Sequence, residues 1–379
     1  MTLTIPQLPL YWRFETVLAP HPNIPQTYDF VFDFEPTLNL LVERKSEELL
    51  SILSQIYDAE SNIGYLQEGT NLGATYGREY IKFLIESLPN PDKQIIADVG
   101  CGGCLLLEEL RDLGFSVVGV DPSPIAINAA RTKSIDLIPS MLDENSLPDN
   151  SIDYITQMDV LEHAYDPVEL LSLERKALNE NGLVFINVPN CEKSISLGDI
   201  SMAIHQHVNM YTRYSLAKVV EAAGLFIHTM SLSKFGSAIY CIATKIRSCS
   251  QLSSEDFKDF QADQLSFENL ATQRIQRFKS LYEPFQDQNN GFYIFQRLLP
   301  YLCASGCSLH GRFFDNNTLW HNKFLDGVPG KIENHQDLLD NPTENLFIFS
   351  HSFSDDIIDS LGQLGLPTRL FSQNTFFND

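Results

Sequence analysis

Between residues 94 and 245, short apolar runs alternate with longer amphipathic stretches. The runs QIIADV, SVVGV, IDYITQM and LVFINV are mostly apolar, which is typical of strands buried on both faces of a sheet. The intervening stretches CLLLEELRDLG, SPIAINAARTK and DPVELLSLERKALNENG have apolar residues at helical spacing. This alternation predicts an α/β domain with a parallel sheet covered by helices.

The end of this domain has a different pattern. The helical stretch SLAKVVEAAG is followed by LFIHTMSL and SAIYCIAT, two runs rich in β-forming residues. Only the turn at 234–236 separates them, which is short enough for an antiparallel pair. The sheet is therefore expected to end in an antiparallel hairpin.

The flanking regions predict further elements. YDFVFDF alternates apolar and polar residues like a half-buried strand, and SEELLSILSQIYD begins with a capping serine, Ser46. GREYIKFLIESL predicts a helix that stops before Pro89 and Pro91. FENLATQRIQRFKSLYEPF predicts another helix, followed by the small α/β pattern of SLHGRFFDNN, NLFIFSH and SDDIIDSLGQLG. We expect a small N-terminal α+β unit at 1–70, the main domain at 71–245, and a helical linker with a C-terminal α/β domain at 246–379.

Charge and cysteine content restrict the class of partner. The formal net charge is −23, which repels nucleic-acid phosphates and anionic lipid headgroups. No apolar stretch approaches the ~20 residues of a membrane span, and the first residues do not resemble a signal peptide. Seven cysteines, an odd number over 379 residues, predict free thiols. We expect a cytoplasmic protein with a small-molecule partner, and neither nucleic acid nor membrane as a partner; these features leave the oligomeric state open.

A glycine-rich loop follows the first strand of the main domain, in ADVGCGGCLLLEEL. Gly100 and Gly102 let a ligand approach the backbone, and the following helix start offers N–H groups. Asp121 follows Asp98 by 23 residues and ends the next strand, where a carboxylate can accept hydrogen bonds from both ribose hydroxyls. A dinucleotide fingerprint needs glycine at the sixth position, but Leu105 stands there. The loop predicts an adenosine-containing cofactor other than NAD.

DVGCGGC resembles the first motif of the class I S-adenosylmethionine (SAM)-dependent methyltransferases, an acidic residue followed by G-x-G-x-G. VVGVDPSPIAIN, MLDENSLPDNSIDYI, MDVLEHAYDPVELL, ALNENGLVFINVPN and YSLAKVVEAAGLF resemble later family motifs in the same order. The resemblance runs from Asp98 to Phe226. It implies a Rossmann-like α/β sheet, methyltransferase activity and SAM as cofactor.

The resemblance also implies which residues bind the cofactor. Asp121 would bind the ribose, Asp143 would face the adenine amino group, and Tyr76 would cover the SAM site. The implied set is Tyr76, Asp98, Gly100, Cys101, Gly102, Asp121, Pro122, Leu142, Asp143 and Met158. The alternatives are a helix N-cap for Asp121, a surface-loop role for Asp143 and simple packing for Tyr76.

Two cysteines lie in this loop. Cys101 and Cys104 have the spacing of a zinc knuckle or a redox dithiol. No second Cys or His pair stands nearby in the sequence, so we expect no metal. The family usually has glycine at the position of Cys104, and a thiol there could crowd the helix or the methionine end of SAM.

Candidate bases lie between the late strand and the hairpin, in IHQHVNMYTRYSL. His205 and His207 are the predicted catalytic residues, because histidine titrates near neutral pH and can accept a proton. The alternative is that a histidine only holds the loop by a hydrogen bond. Glu162 and His163 are interpreted as opening a helix, with a structural role favoured.

The layout further resembles three-part C-methyltransferases that act on nucleotide-linked ketosugars, which have a YHEHVSYFS-like segment. His205 and His207 match its histidines, whereas Gln206 replaces its glutamate. FFDNNTLWHNKFLDGVPGKI and NLFIFSHSFSDDIIDSL resemble that family's third domain, in which a packing role is favoured for Trp320 and His321. The family's N-terminal unit binds zinc through cysteines, but no cysteine precedes Cys101.

These observations predict a small-molecule methyltransferase that modifies carbon of a nucleotide-linked sugar or related metabolite. The alternatives are O- or N-methylation of a sugar or secondary metabolite, because Gln206 cannot act as a base, and a catalytically silent SAM-binding partner.

Overall fold

The computed structural model describes residues 2–10, 13–17, 19, 21–59, 72–88, 94–234, 236–249, 251–350, 354–363 and 365–377. The predicted domain boundary at 70 and 71, the prolines at 89 and 91, and the middle residue of the predicted hairpin turn lie outside the described residues.

The described elements follow in chain order. The strands are β1 Thr4–Pro9, β2 Phe14–Glu15, β3 Thr27–Glu35, β4 Leu40–Glu43, β5 Ile95–Val99, β6 Ser116–Val120, β7 Asp136–Ile138, β8 Ile152–Met158, β9 Leu178–Pro189, β10 Asn209–Met210, β11 Phe226–Leu232, β12 Ala238–Thr244, β13 Asn290–Tyr293, β14 Arg312–Phe314, β15 Phe324–Leu325, β16 Ile332–Glu333, β17 Asn345–Ile348 and β18 Arg369–Ser372. The helices are α1 Glu47–Asp58, α2 Leu72–Ser87, α3 Leu105–Asp112, α4 Pro124–Lys133, α5 Pro167–Ala177, α6 Glu192–Leu197, α7 Arg213–Ala222, α8 Gln264–Tyr282, α9 Leu299–Ser305, α10 His335–Asp340, α11 Ser354–Gly362 and α12 Gln373–Phe377. Among the described helices, none is both long and apolar enough to cross a membrane.

The chain forms two compact units. The larger unit comprises Phe34–Glu192 and Gln206–Ala262, and the smaller unit comprises Met1–Asp33, Lys193–His205 and Asp263–Asp379. The division into three sequential parts stays a prediction.

The larger unit contains a seven-stranded sheet in the order β11-β12-β9-β8-β5-β6-β7. The five strands from β9 to β7 in this order are parallel, and β12 pairs antiparallel with both β9 and β11. Apolar side chains such as Val99, Ile155 and Val184 are buried in one core cluster, and Ile96 and Phe185 are buried in another. The predicted Rossmann-like α/β fold with a terminal antiparallel hairpin is confirmed.

Side-chain caps explain where several helices begin. The Oγ of Ser46 accepts a hydrogen bond from Leu49 N across 3.0 Å at the start of α1, as predicted. Asp166 caps α5 by accepting from Val168 N and Glu169 N.

The predicted helix start at Glu162 and His163 is wrong. These residues lie in a turn, and α5 begins only at Pro167. Asp166 and Pro167 set that start, because a capping carboxylate followed by proline at the first helical position favours it there. The helical stretch predicted from the sequence, DPVELLSLERKALNENG, begins at the observed cap Asp166 but ends earlier than predicted, since β9 begins at Leu178.

The smaller unit contains a five-stranded parallel sheet in the order β16-β14-β13-β17-β18. In the same unit, β1 pairs antiparallel with β3. Its strands β14 and β17 and helices α8 and α11 occupy the stretches where the sequence predicted them. Trp320 is buried and stacks on Phe14 with ring centroids 4.5 Å apart, which agrees with the expected packing role.

Candidate cofactor and acceptor site

The loop between β5 and α3 has the left-handed backbone that glycine adopts at little cost. The φ angle is 73° at Gly100 and 48° at Gly102. The N–H of Gly100 donates to Val120 O across 2.8 Å, which ties the loop to the end of β6. A Cβ atom on Gly100 would lie 2.5 Å from Val160 Cγ2. Glycine is therefore required at position 100 by both backbone conformation and space.

Cys104 also has a left-handed backbone, with φ of 57°, directly before the first residue of α3. Because glycine takes this conformation at the least cost, the family's usual glycine at this position has a backbone explanation. The Cys104 side chain is fully buried, and its Sγ lies 3.9 Å from Cys101 Sγ. The hydrogen bond between the two thiols, and then burial, raise the pKa of Cys101. Cys101 is accordingly held as a thiol rather than a thiolate.

Asp121 lies at the end of β6 and supports the glycine loop. Its Oδ2 accepts from Gly102 N, and its Oδ1 accepts from Ser123 N, both across 2.8 Å. Ser123 rather than Asp121 is the N-cap of α4, since the Ser123 Oγ accepts from Ala126 N. The alternative role of Asp121 as a helix cap is therefore wrong. Its carboxylate stands beside the loop, where a ribose role remains a prediction.

The other residues predicted to bind the adenosine part of the cofactor differ in burial and in hydrogen bonding. Asp98 is buried in β5, where burial, and then Cys104 and Asp121, raise its pKa. Pro122 is half-buried, and Leu142 packs on the core of the sheet. Asp143 is exposed, and its Oδ1 accepts from Asn145 N and Ser146 Oγ, each across 2.8 Å. These hydrogen bonds lower the pKa of Asp143, and its adenine contact stays a prediction.

Tyr76 and Met158 lie close to a carboxylate that the sequence analysis missed. Met158 is the last residue of β8, and Asp159 follows it with a left-handed backbone, φ 54°. The Tyr76 hydroxyl lies 2.8 Å from Asp159 Oδ1 and 3.1 Å from Asn187 Oδ1. Burial raises the pKa of Asp159 to about 6, although the hydrogen bond from Tyr76 opposes this change. The signal available from sequence was its place at the carboxyl end of a central strand.

Glu162, His163 and His207 form a cluster in the larger unit. One ligand-type atom from each residue lies within 4.8 Å of the others, which is close enough for the three groups to bind one cation. Glu162 is buried, and neither of its carboxylate oxygens has a hydrogen-bond partner among the described residues. Burial, and then the charge of Asp159, raise the pKa of Glu162. A buried carboxylate without hydrogen bonds is costly, which makes Glu162 a candidate functional group.

Hydrogen bonding orients the two histidines. His163 Nδ1 lies 2.6 Å from the backbone oxygen of Gln206, which fixes the proton on Nδ1 and leaves Nε2 as the acceptor. His163 Nε2 lies 3.8 Å from Glu162 Oε1. Burial lowers the pKa of His163 to about 4, so its ring is neutral at pH 7. The His207 ring stands edge-on to it, with centroids 4.8 Å apart.

His205 has a different environment from His207. It belongs to the smaller unit, whereas Gln206 and His207 belong to the larger one. Its side chain is fully buried, and its Nε2 lies 3.1 Å from Tyr28 O. The rings of Tyr28 and Phe30 lie within ring-contact distance of it. This setting favours the alternative that His205 holds the fold, and its catalytic role stays a prediction.

Comparison with known proteins extends these observations. Residues 73–229, which include the glycine loop, Asp121 and Glu162, match the model of a methyltransferase domain family. A ubiquinone biosynthesis O-methyltransferase of Hydrogenovibrio crunogenus is 27% identical over 162 residues, 38% of this chain and 66% of that protein. Another, from Pelagibacter ubique, is 30% identical over 165 residues, 40% of this chain and 67% of that protein. The chain thus spans about two thirds of the length of these relatives.

A solved SAM-dependent methyltransferase from Mesorhizobium loti has a TM-score of 0.38 to this structure. Its sequence is 17% identical, and the alignment covers 44% of this chain and 98% of that one. The finer resemblance to sugar C-methyltransferases, with their three-part architecture, stays a prediction.

Proposed function

Because this chain belongs to the class I SAM-dependent methyltransferases, we propose that it methylates a hydroxyl oxygen of a small-molecule acceptor. The observation that most directly supports this proposal is the buried carboxylate of Glu162. It has no hydrogen-bond partner among the described residues and lies beside two imidazoles. A hydroxyl nucleophile must lose a proton when it is methylated, so the enzyme needs a proton acceptor at the acceptor oxygen.

The residues around the glycine loop fit SAM. No side chain caps the start of α3, so its first backbone N–H groups can serve a ligand. Asp121 supplies the carboxylate for the ribose, while Gly100 and Gly102 place no side chain between the loop backbone and a ligand. When bound, SAM supplies a methyl group activated by the adjacent sulfonium. Met158 and Tyr76 are assigned to its methionine side, because Met158 ends β8 and the Tyr76 hydroxyl contacts Asp159 directly after that strand.

Glu162 is assigned as the proton acceptor. Burial, and then the charge of Asp159, raise the pKa of Glu162, so its ionised carboxylate is a stronger base than that of an exposed glutamate. His163 is oriented by the Gln206 carbonyl, and its Nε2 lies 3.8 Å from Glu162 Oε1, which is beyond the distance of a direct hydrogen bond. His207 packs against the His163 ring and limits its rotation. The two imidazoles and the carboxylate also offer the donor types that a divalent cation accepts.

The relatives named above as O-methyltransferases support oxygen as the acceptor atom. Carbon methylation of a nucleotide-linked ketosugar is the competing function, supported by the histidine segment that contains His205 and His207. A silent SAM-binding partner is the second competitor.

The test measures formation of S-adenosylhomocysteine (SAH) from SAM with phenols, catechols, sugars and a nucleotide-linked ketosugar, with and without added Mg²⁺. We expect SAH with a hydroxyl acceptor and an O-methyl product. Glu162→Gln should lower turnover by ~10²–10⁴-fold and leave SAM affinity intact. Glu174→Gln is the matched control, because Glu174 is also buried in the larger unit but pairs with Gln157 outside this cluster.

Three results would count against the proposal. A C-methylated ketosugar as product would establish the competing reaction. SAM binding without turnover on any acceptor would favour the silent partner. Equal turnover in Glu162→Gln and the wild type would remove Glu162 from the chemistry.

A further inference from the structure

Asp159 has an unusual backbone and a specific partner. Its φ of 54° lies in the left-handed region, which is costly for a residue with a side chain and is retained where surrounding structure enforces it. Its backbone N–H donates to Asn187 O across 3.2 Å, and its carboxylate accepts from the Tyr76 hydroxyl across 2.8 Å. A contact from β9 therefore holds the Asp159 backbone, and a contact from α2 holds its carboxylate.

The sheet places Asp159 beside the glycine loop. β5 and β8 are parallel neighbours with Val99 opposite Gln157, so the residues that follow each strand emerge side by side. Val160, the next residue after Asp159, is the side chain that fills the space next to Gly100. β6, which carries Asp121, lies on the opposite side of β5. Asp121 and Asp159 therefore flank the loop from its two sides.

The strand order β8-β5-β6 determines which end of SAM lies near Asp159. The ribose binds on the β6 side if Asp121 holds its hydroxyls. The sulfonium is joined to the ribose C5′ and the methionine part extends beyond it, so this end must cross the loop toward β8. The positively charged end of SAM is thus brought to the strand end where Asp159 stands.

The charged and titratable groups around Asp159 are acidic or phenolic. Tyr76 and Tyr80 act on it from α2, Glu162 from the same turn, and Tyr240 from β12. In the described part of the chain, no lysine or arginine is within ion-pair distance of its carboxylate. A carboxylate that loses hydration without a cationic partner gains most from a ligand that supplies the cation.

We propose that Asp159 recognises the positive charge of SAM and makes the site discriminate between SAM and its product SAH. This inference rests on the proposed function only in that SAM binds at the glycine loop. SAM carries a sulfonium, whereas SAH carries an uncharged thioether in its place. Methyl transfer therefore removes the charge that Asp159 attracts, and product release becomes easier without any movement of the protein.

The proposal predicts that the affinity for SAM rises with pH. The pKa of Asp159 is about 6, so below that pH the neutral carboxyl gives SAM no advantage over SAH. Above it the ionised carboxylate attracts SAM, and SAM binding lowers the pKa and releases a proton. SAM affinity should therefore rise with pH through about 6, while SAH affinity should not follow it. A neighbouring opposite charge shifts a pKa by about one to three units, which corresponds to an affinity gain of tenfold or more.

Isothermal titration calorimetry with SAM and with SAH, at several values between about pH 5 and pH 8, tests this without any acceptor. In the wild type the SAM-to-SAH affinity ratio should rise about tenfold or more across that range. In Asp159→Asn the ratio should be low and independent of pH, with SAH affinity retained. Tyr76→Phe removes a hydrogen bond that favours the ionised form, so its ratio should rise at a higher pH than in the wild type.

Asp121→Asn is the matched control, because Asp121 faces the ribose that both ligands share. It should weaken SAM and SAH equally and keep the pH dependence of their ratio. A pH-independent ratio in the wild type, or an unchanged rise in Asp159→Asn, would overturn the inference while leaving the proposed function intact. Failure of the wild type to bind either ligand would instead overturn the proposed function, and this inference with it.

Discussion

The hydroxyl of Tyr76 lies 2.8 Å from Asp159 Oδ1, which connects α2 to the carboxyl end of β8. The two residues are 83 positions apart in the chain. Through this contact a helix that precedes the sheet helps to orient the carboxylate beside the glycine loop. We therefore expect cofactor binding to depend on α2 as well as on the loop itself.

The glycine loop should not tolerate a side chain at position 100. Gly100→Ala combines a left-handed φ, worth about 1–2 kcal/mol, with a Cβ only 2.5 Å from Val160 Cγ2. Gly236→Ala is the control, since Gly236 has a similar φ of 70° but open space around it. Chemical denaturation should show a larger loss of stability for Gly100→Ala. Equal losses in both variants would mean that Val160 moves aside freely.

The left-handed backbone at Cys104 predicts that glycine stabilises the protein more than alanine does at this position. Alanine normally stabilises a helical region more than glycine does. At Cys104, with φ of 57°, Cys104→Gly should instead be more stable than Cys104→Ala by about 1 kcal/mol. Both variants lose the same buried thiol, and the Cβ that alanine alone keeps is buried and favours alanine, so a more stable glycine variant reports the cost of the backbone conformation. A more stable alanine variant would contradict the assigned conformation.

Glu174 should make the protein less stable as pH rises. Burial raises the pKa of Glu174 to about 8, whereas the unfolded value is about 4.3. Glu174 is protonated in both the folded and the unfolded state below about pH 4. Between that pH and about 8 it is protonated in the folded state but ionised in the unfolded state, so rising pH favours unfolding. Stability should therefore fall across this window, and Glu174→Gln should be more stable than the wild type at its upper end.

Unfolding free energies from urea titrations at several pH values give the measurement. The gain from Glu174→Gln at alkaline pH should be on the order of several kcal/mol and should vanish at acidic pH. Glu169→Gln, an exposed position on the same helix, should keep the wild-type dependence. A constant difference between Glu174→Gln and the wild type at all pH values would contradict the raised pKa.

Substitution of the two histidines predicted as bases should have different effects on stability and turnover. His205→Asn removes a fully buried ring that contacts Tyr28 and Phe30, so it should destabilise the fold by about 1–3 kcal/mol. His207→Asn should have a smaller effect on stability and should lower turnover once an acceptor is known. Thermal unfolding of both variants, followed by SAH formation assays, distinguishes them. A stable but inactive His205→Asn would restore the original catalytic prediction for His205.

The fold was predictable because its signals are local. Apolar runs such as IDYITQM and caps such as Ser46 are short-range features that survive in the structure. The position of Asp121 beside the glycine loop also follows from local signals, the strand ends and the spacing between them. Asp159 was missed because its importance comes from a left-handed backbone and a partner that is remote in sequence.

The acceptor residues were harder to predict for the same reason. Glu162 and His163 resembled the start of a helix, but the cap formed by Asp166 moves that start to Pro167. Only the tertiary structure brings His207 to them and leaves Glu162 without a hydrogen-bond partner among the described residues. His205 and His207, two positions apart, belong to different units, and no periodicity in the segment indicates this division.

The central claim is that SAM binds across the Gly100–Gly102 loop with Asp121 on the ribose. Calorimetric titration of SAM into the wild type and Asp121→Ala tests it most directly. We predict binding to the wild type, weakened in the variant by about 1.5–3 kcal/mol because hydrogen bonds to a charged group are lost. Unchanged SAM affinity in a folded Asp121→Ala variant would contradict the account.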